Sequence, residues 1–196
     1  MENERTLVII KPDGVKRSLI GEIIKRFEAR GLKIVALHMT HPTRKQMNDH
    51  YPKNKEWITN LGKNTEKSYK EFDIPSTLKN DYGTEDLYEI GKKVREWLID
   101  FMVSGPILKI VVEGHHAIKM VRKIVGPTIP ALAEAGTIRG DFSIDSPDSA
   151  NIKKRAVHNL IHASGSKEEA EHEIRLWFAQ EDLHEYKTTH DLFIQN

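Results

Sequence analysis

No cysteine occurs in this chain, which excludes a disulfide scaffold, a thiol nucleophile and thiolate metal sites together. No apolar run approaches the ~20 residues that cross a bilayer, so no membrane attachment is expected. Neither sign of charge prevails. Lys plus Arg number 30 against 29 Asp plus Glu, which gives neither nucleic acid nor an acidic membrane a general electrostatic hold. A glycine-rich phosphate loop is also missing, since neither GxGxxG nor GxxxxGKS/T occurs. The start, MENERTLVIIKPDG, lacks the apolar core of a signal peptide. Together with the absent cysteine this points to a cytoplasmic protein.

What is present suits one globular domain over residues 1–196, with 38% hydrophobic and 30% charged residues. Residues 6–10 are apolar and β-prone and predict a buried strand, stopped by the turn residues Lys11-Pro12-Asp13-Gly14. Ile20, Ile23, Ile24 and Phe27 share one helical face, which Gly31 ends. Residues 32–39 predict a second strand. Thr43 with Gln46 predicts a capping box for a helix reaching His50. Residues 52–86 lose the pattern and read as a polar insertion with little regular structure. A helical stripe returns from Leu87 to Phe101. Residues 107–112 predict a third strand, and Ala117 to Val125 a helix closed by Gly126 and Pro127. Residues 137–144, around Arg139-Gly140-Asp141-Phe142, predict a fourth strand, and 145–155 a polar surface excursion. Ser166 with Glu169 predicts a second capping box, opening a last helix with Ala170, Ile174, Trp177 and Phe178 on one face.

Strands alternating with helices fit either a doubly wound parallel sheet or a ferredoxin-like split βαβ core. The parallel version calls for a glycine-rich turn after its first strand, and Lys-Pro-Asp-Gly is not one. The expectation is therefore an α+β, ferredoxin-like fold with a mainly antiparallel four-stranded sheet, extra helices and insertions.

Polar islands interrupt these elements. Lys11 ends the first strand, Arg122 and Thr128 flank a helix end, and Arg139 lies on or beside the fourth strand as read above. Singly each is an ordinary surface or snorkelling residue. Together they could converge on a polyphosphate without a glycine-rich loop. The remaining island, Val157 to Ser166, centres on His162. Neutral imidazole is a good nucleophile toward phosphorus when one ring nitrogen is bare and an acceptor holds the other. Glu173, in the last helix, is the candidate acceptor. His158 and His162 also have the spacing of two zinc ligands on a helix. Asn159 stands where the zinc-hydrolase motif needs Glu, which argues against that reading.

Several separated blocks resemble the nucleoside diphosphate kinase family. They include Lys11-Pro12-Asp13-Gly14-Val15, Ile20-Gly21-Glu22-Ile23-Ile24, Ser104-Gly105-Pro106, Gly136-Thr137-Ile138-Arg139-Gly140-Asp141-Phe142 and Asn159-Leu160-Ile161-His162-Ala163-Ser164. The resemblance implies transfer of the terminal phosphate of ATP or another nucleoside triphosphate to a nucleoside diphosphate through a phosphohistidine. His162 matches the phosphorylated histidine, Glu173 the glutamate on its other ring nitrogen and Tyr51 a tyrosine beside it. Lys11 and Asn159 match residues on ribose and phosphates, and Arg122, Thr128 and Arg139 match phosphate-binding residues. Trp57 is the candidate for stacking the base. The resemblance further implies Mg2+ held mainly by nucleotide phosphates, no resident metal, and a homo-oligomer, a hexamer or tetramer of dimers.

Two departures stand out. Where the family usually has His-Gly-Ser-Asp, this chain has His162-Ala163-Ser164-Gly165, losing an acid. A segment of about 52–100 is longer than the family's, and about 145–155 is also extra. These departures motivate a second reading, a catalytically weak nucleotide-binding or regulatory module of the same fold.

Overall fold

The computed structural model describes residues 3–194; Met1 and Glu2, part of the start read above for a leader, lie outside them. Strand β1 (Glu4–Ile10) runs into Lys11, and Pro12 opens the short helix α1 (Pro12–Lys16), where a missing amide hydrogen leaves no bond unmade. Helix α2 (Ile20–Glu28) buries Ile23 and Phe27, and Gly31 turns the chain at a φ of +74°. After β2 (Lys33–Thr40), helix α3 (Arg44–His50) begins with both halves of the expected capping box on Thr43 and Gln46. Helices α4 (Lys55–Glu71), α5 (Leu78–Tyr82) and α6 (Leu87–Met102) lead to β3 (Ile107–Gly114). Then come α7 (Ala117–Val125), α8 (Ile138–Phe142), α9 (Pro147–Ile152), β4 (Ile161–Ala163), α10 (Lys167–Trp177) and α11 (Thr189–Ile194).

The strands form one antiparallel sheet in the order β2-β3-β1-β4. Since β3 lies between β1 and β2, the chain makes the split βαβ arrangement, and the ferredoxin-like expectation holds. Leu7, Val8, Ile9 and Ile10 are all fully buried, so β1 has no solvent face. Val8 and Ile10 pack with α2 and α7 through Ile23, Phe27, Val121 and Val125. Leu7 and Ile9 pack on the other side with Met47, Met102 and Trp177, from α3, α6 and α10. The register sets His162 opposite Ile9. Directly paired residues share a sheet face, so His162 faces α3 and α10.

Three local expectations are corrected. Residues 52–86 are not irregular: Asn54 accepts the Trp57 amide at 2.8 Å and caps the 17-residue α4. Its buried face includes Gly62 and Ser68, too small to show as an apolar stripe. Residues 137–144 are not a strand. Thr137 accepts the Gly140 amide at 3.1 Å and caps α8, a turn too short to display a helical period. The fourth strand is instead the three-residue segment that carries His162. Residues 145–155 contain α9, with Pro147 and Ala150 buried.

α4 and α6 cross at two glycines. A Cβ on Gly91 would stand 1.9 Å from the Ile58 carbonyl oxygen, and one on Gly62 would stand 1.9 Å from that of Leu87. Backbone cannot yield as a side-chain tip does. Gly91→Ala is therefore expected to lower stability by about 1–3 kcal/mol, the usual cost of overpacking. Urea unfolding checks this, and an unchanged midpoint would contradict the close crossing.

Candidate active site

β4 is reached through a tight turn. Leu160 has a φ of +67°, and the Ile161 amide donates to the Asn159 carbonyl at 2.7 Å, a γ-turn of high backbone energy. The surroundings hold it in place. The Leu160 amide donates to Asp13 Oδ2 at 3.0 Å, and the Leu160 carbonyl accepts from the Lys11 amide at 2.8 Å. Arg139 donates through Nε to the Asn159 carbonyl at 3.1 Å, through Nη2 to that of Ile161 at 2.6 Å, and through Nη1 to that of Gly126 at 2.8 Å. The result is that Asn159 and His162 enter one cleft.

The His162 ring places Nε2 at 2.8 Å from Glu173 Oε1 and 3.0 Å from Oε2. Ser164 donates its hydroxyl to Glu173 Oε2 at 2.6 Å and accepts the Leu7 amide at 3.3 Å, anchoring the carboxylate to β1. Burial raises the Glu173 pKa, but His162 and the hydrogen bonds outweigh it and hold the carboxyl below its usual range. An ionised acceptor fixes the proton on Nε2 and leaves Nδ1 bare. The imidazole keeps 19% of its side chain exposed, at a cavity of about 230 Å3.

That cavity brings together the nine residues assigned by the family resemblance: Lys11, Tyr51, Trp57, Arg122, Thr128, Arg139, Asn159, His162 and Glu173 all line it. Lys11 Nζ donates to Asn159 Oδ1 at 2.7 Å, and Asn159 Nδ2 donates to the Thr128 carbonyl at 2.9 Å. Arg139 comes from helix α8, not from a strand, and is buried. Burial and the neighbouring Arg122 lower its pKa to about 10, against the pull of Asp13. Its three carbonyl bonds use three of five N–H groups, which leaves two. Arg122 is exposed on α7 and has no hydrogen bond or ion pair among the described residues. Tyr51 stacks on Trp57 with ring centroids 6.0 Å apart.

Two residues of the cleft escaped sequence reasoning. His50, the last residue of α3, packs edge-on against His162 at 4.8 Å, and its Nδ1 accepts the Trp177 Nε1–H at 3.3 Å. Burial, with His162 adding to it, lowers its pKa to about 3, so the ring is neutral. The only sequence signal was adjacency to Tyr51; Trp177 lies far along the chain. Glu169 is the other. Ser166 does cap α10 by accepting the Glu169 amide at 3.2 Å. The Glu169 carboxylate, however, accepts the Gly165 amide at 2.8 Å, and a Cβ on Gly165 would lie 2.8 Å from that oxygen. A carboxylate thus fills the space beside Gly165, where the sequence suggested a lost charge.

His50, His162 and Glu173 offer two nitrogens and an oxygen within 4.8 Å of one another. Trp177 donates to His50 Nδ1, and His162 with Ser164 engages the Glu173 carboxylate, so these atoms already have partners within the fold. His158, the other half of the zinc pairing, stacks on Phe101 at 4.4 Å outside this cavity.

Lys11 is buried, and desolvation with Arg139 nearby lowers its pKa from 10.5 to about 8, Asp13 opposing. The unfolded chain therefore binds more protons between those two values. Stability contributed through Lys11 is complete above about 10.5 and lost as pH falls through about 8. Lys11→Met should flatten the rise of stability across that window. Urea unfolding at several pH values tests this, and an identical slope in the variant would refute the buried, depressed amine.

Fold and cleft define a class: an antiparallel α+β protein that presents one oriented imidazole in a cleft also lined by Lys11, Arg122 and Arg139. The family model described as nucleoside diphosphate kinase matches residues 4–61 and 77–183. The nucleoside diphosphate kinase of Pyrobaculum aerophilum is 49% identical over 183 residues, covering 93% of this chain and 99% of that protein. That of Pyrococcus furiosus is 41% identical over 192 residues, covering 98% and 93%. A crystal structure of an NDP kinase from Pyrobaculum aerophilum has a TM-score of 0.89 at 46% identity, covering 94% of this chain and all of that one. A transition-state mimic of the Borrelia burgdorferi nucleoside-diphosphate kinase, with vanadate and ADP bound, has a TM-score of 0.75 at 35% identity, covering 95% and 94%. The chain belongs to the nucleoside diphosphate kinase family.

Proposed function

We propose that this chain transfers the terminal phosphoryl group of a nucleoside triphosphate to a nucleoside diphosphate, carrying it on His162 Nδ1. The observation that carries the reading is the bare Nδ1: Glu173 engages Nε2, and Lys11, Arg122 and Arg139 line the same cleft. In the first half-reaction the Nδ1 lone pair forms an N–P bond. The bond from phosphorus to the bridging oxygen breaks, and the nucleoside diphosphate leaves with that oxygen and its electron pair. The Nε2–H stays on the ring and donates to the Glu173 carboxylate, whose negative charge offsets the positive charge gained by the imidazole. A second nucleoside diphosphate then takes the group by the reverse steps, which maintains the pools of nucleoside triphosphates.

Such transfer depends on positioning and charge neutralisation more than on proton movement. Lys11, Arg122 and the free N–H groups of Arg139 neutralise phosphate oxygens, with Thr128 and Asn159 beside them. Trp57 and Tyr51 form the aromatic wall for the base and sugar. Mg2+ supplies further charge neutralisation when bound. The donor set fits an ion brought in by the phosphates, because the cleft has cations and no carboxylate cage. Glu169, the lining acid not committed to His162, would hold its water shell. The lost acid, one of the two motives for the binding-only reading, is answered by that carboxylate beside Gly165.

The chain also forms a homo-oligomer built from dimers, in the cytoplasm. β2 is an edge strand with Leu37 and Met39 each 48% exposed, the kind of edge that pairing covers. Among the described residues no helix is long and apolar enough to cross a membrane.

The decisive experiment is to label the protein with γ-labelled ATP without acceptor and identify the modified atom by NMR. Phosphate on Nδ1 of His162, discharged by added GDP, is expected. Phosphate on Nε2, or none, would overturn the reading.

A further inference from the structure

α6 carries a buried cation that lies outside the phosphate cluster. Arg95 is 7% exposed, and its acidic neighbour Glu96, at 3.8 Å, is already paired with Arg44 at 2.7 Å. Its guanidinium grips the end of α3 instead. Nε donates to the Pro52 carbonyl at 3.1 Å, and Nη1 donates to Asn48 Oδ1 at 2.9 Å. Nη2 donates to the carbonyls of Asn48 at 3.2 Å and Tyr51 at 3.0 Å. The last carbonyls of a helix have no partners within it and carry partial negative charge, so a cation is favourable there. A charge this deep is costly without such acceptors. Few side chains but a planar fork can reach them all.

The gripped segment is one wall of the cleft. It carries His50, Tyr51 and Pro52, and Tyr51 stacks on Trp57 from the first turn of α4. α4 is in turn locked to α6 through Gly62 and Gly91. Trp57 and Arg95 thus sit on one rigid bracket. The opposite wall is anchored separately: β4 and α10 hold His162 through Glu173 and Ser164, and His50 meets the ring by an edge contact alone.

We propose that Arg95 is a positioning residue: it fixes the Tyr51–Trp57 wall, and through it the affinity for the nucleoside half of the substrate, leaving phosphoryl transfer at His162 unaffected. The inference rests on the function proposed above. It divides KM from kcat in a way that general loosening of the fold does not.

The test uses Arg95→Ala, Arg95→Lys and the milder Asn48→Ala in the full chain. Steady-state exchange from ATP to GDP should show KM for both nucleotides raised about 10-fold in Arg95→Ala, with kcat within about twofold. Arg95→Lys should fall between wild type and Arg95→Ala, because one ammonium cannot span the carbonyls. Asn48→Ala should give a smaller rise in the same direction. Loading of His162 by phosphoramidate, a phosphoryl donor with no sugar or base, should match wild type in all three. If Arg95→Ala does not fold, Arg95→Lys and Asn48→Ala carry the test. Unchanged KM in the folded variants would overturn the proposal, as would kcat and phosphoramidate loading falling together with nucleotide affinity. A wild-type protein that takes no phosphate from ATP would instead defeat the function itself.

Discussion

Replacing His162 with alanine is expected to reduce nucleotide exchange by at least about 10^4-fold, the scale seen when a covalent nucleophile is removed. Among the described residues no second free imidazole lines the cleft to take the group. His50 is the nearest imidazole, but it is buried, neutral and committed to Trp177. The cations remain, so ADP should still bind within about fivefold of wild-type affinity, a change of about 1 kcal/mol. A coupled GDP-to-GTP assay and calorimetry with ADP separate these two quantities. Substantial exchange by the variant would mean that the carrier is another residue. Loss of ADP binding along with exchange would mean that the ring is structural.

Arg139→Ala is expected to lower kcat/KM by about 10^2–10^3, or about 2.7–4 kcal/mol of transition-state stabilisation. Two effects add. The cleft loses a buried positive charge, and the carbonyls of Gly126, Asn159 and Ile161 lose the fork that ties them together. The second effect also reaches His162, since the strained turn at Leu160 would lose two of its restraints. Arg139→Lys restores the charge without the fork and should recover little. Kinetics that are normal in the lysine variant would show that charge alone mattered, and normal kinetics in the alanine variant would remove Arg139 from the mechanism.

Sequence patterns sufficed where burial repeats. Ile20, Ile23, Ile24 and Phe27 located α2, and Thr43 with Gln46 located the start of α3, because each signal lies within one or two turns. α4 stayed hidden because its close packing on α6 uses glycine instead of bulk. The fourth strand was misplaced for a different reason. Three residues are too few for a two-residue alternation to register, whereas the one-turn helix at Arg139 happens to alternate. The cleft was legible in part before the family blocks, since the polar islands suggested Lys11, Arg122, Thr128 and Arg139 together and His162 with Glu173; Tyr51, Trp57 and Asn159 came only with the blocks. The contacts that His50, Glu169 and Arg95 make at the site were not legible. Their roles depend on Trp177, Gly165 and the carbonyls of 48–52, partners that only folding brings near.

The brevity of β4 bears on which changes in chain length this lineage can absorb. The residues between α3 and β3 fold into helices of their own, α4, α5 and α6, outside the sheet. Between Asn159 and Ala163 no such freedom exists. Dropping or adding one residue there would rotate the alternation by half a period, sinking the imidazole beneath α2 and α7 and turning an isoleucine toward the nucleotide. Length variation in relatives should therefore crowd into the helical hairpin and vanish from this five-residue stretch.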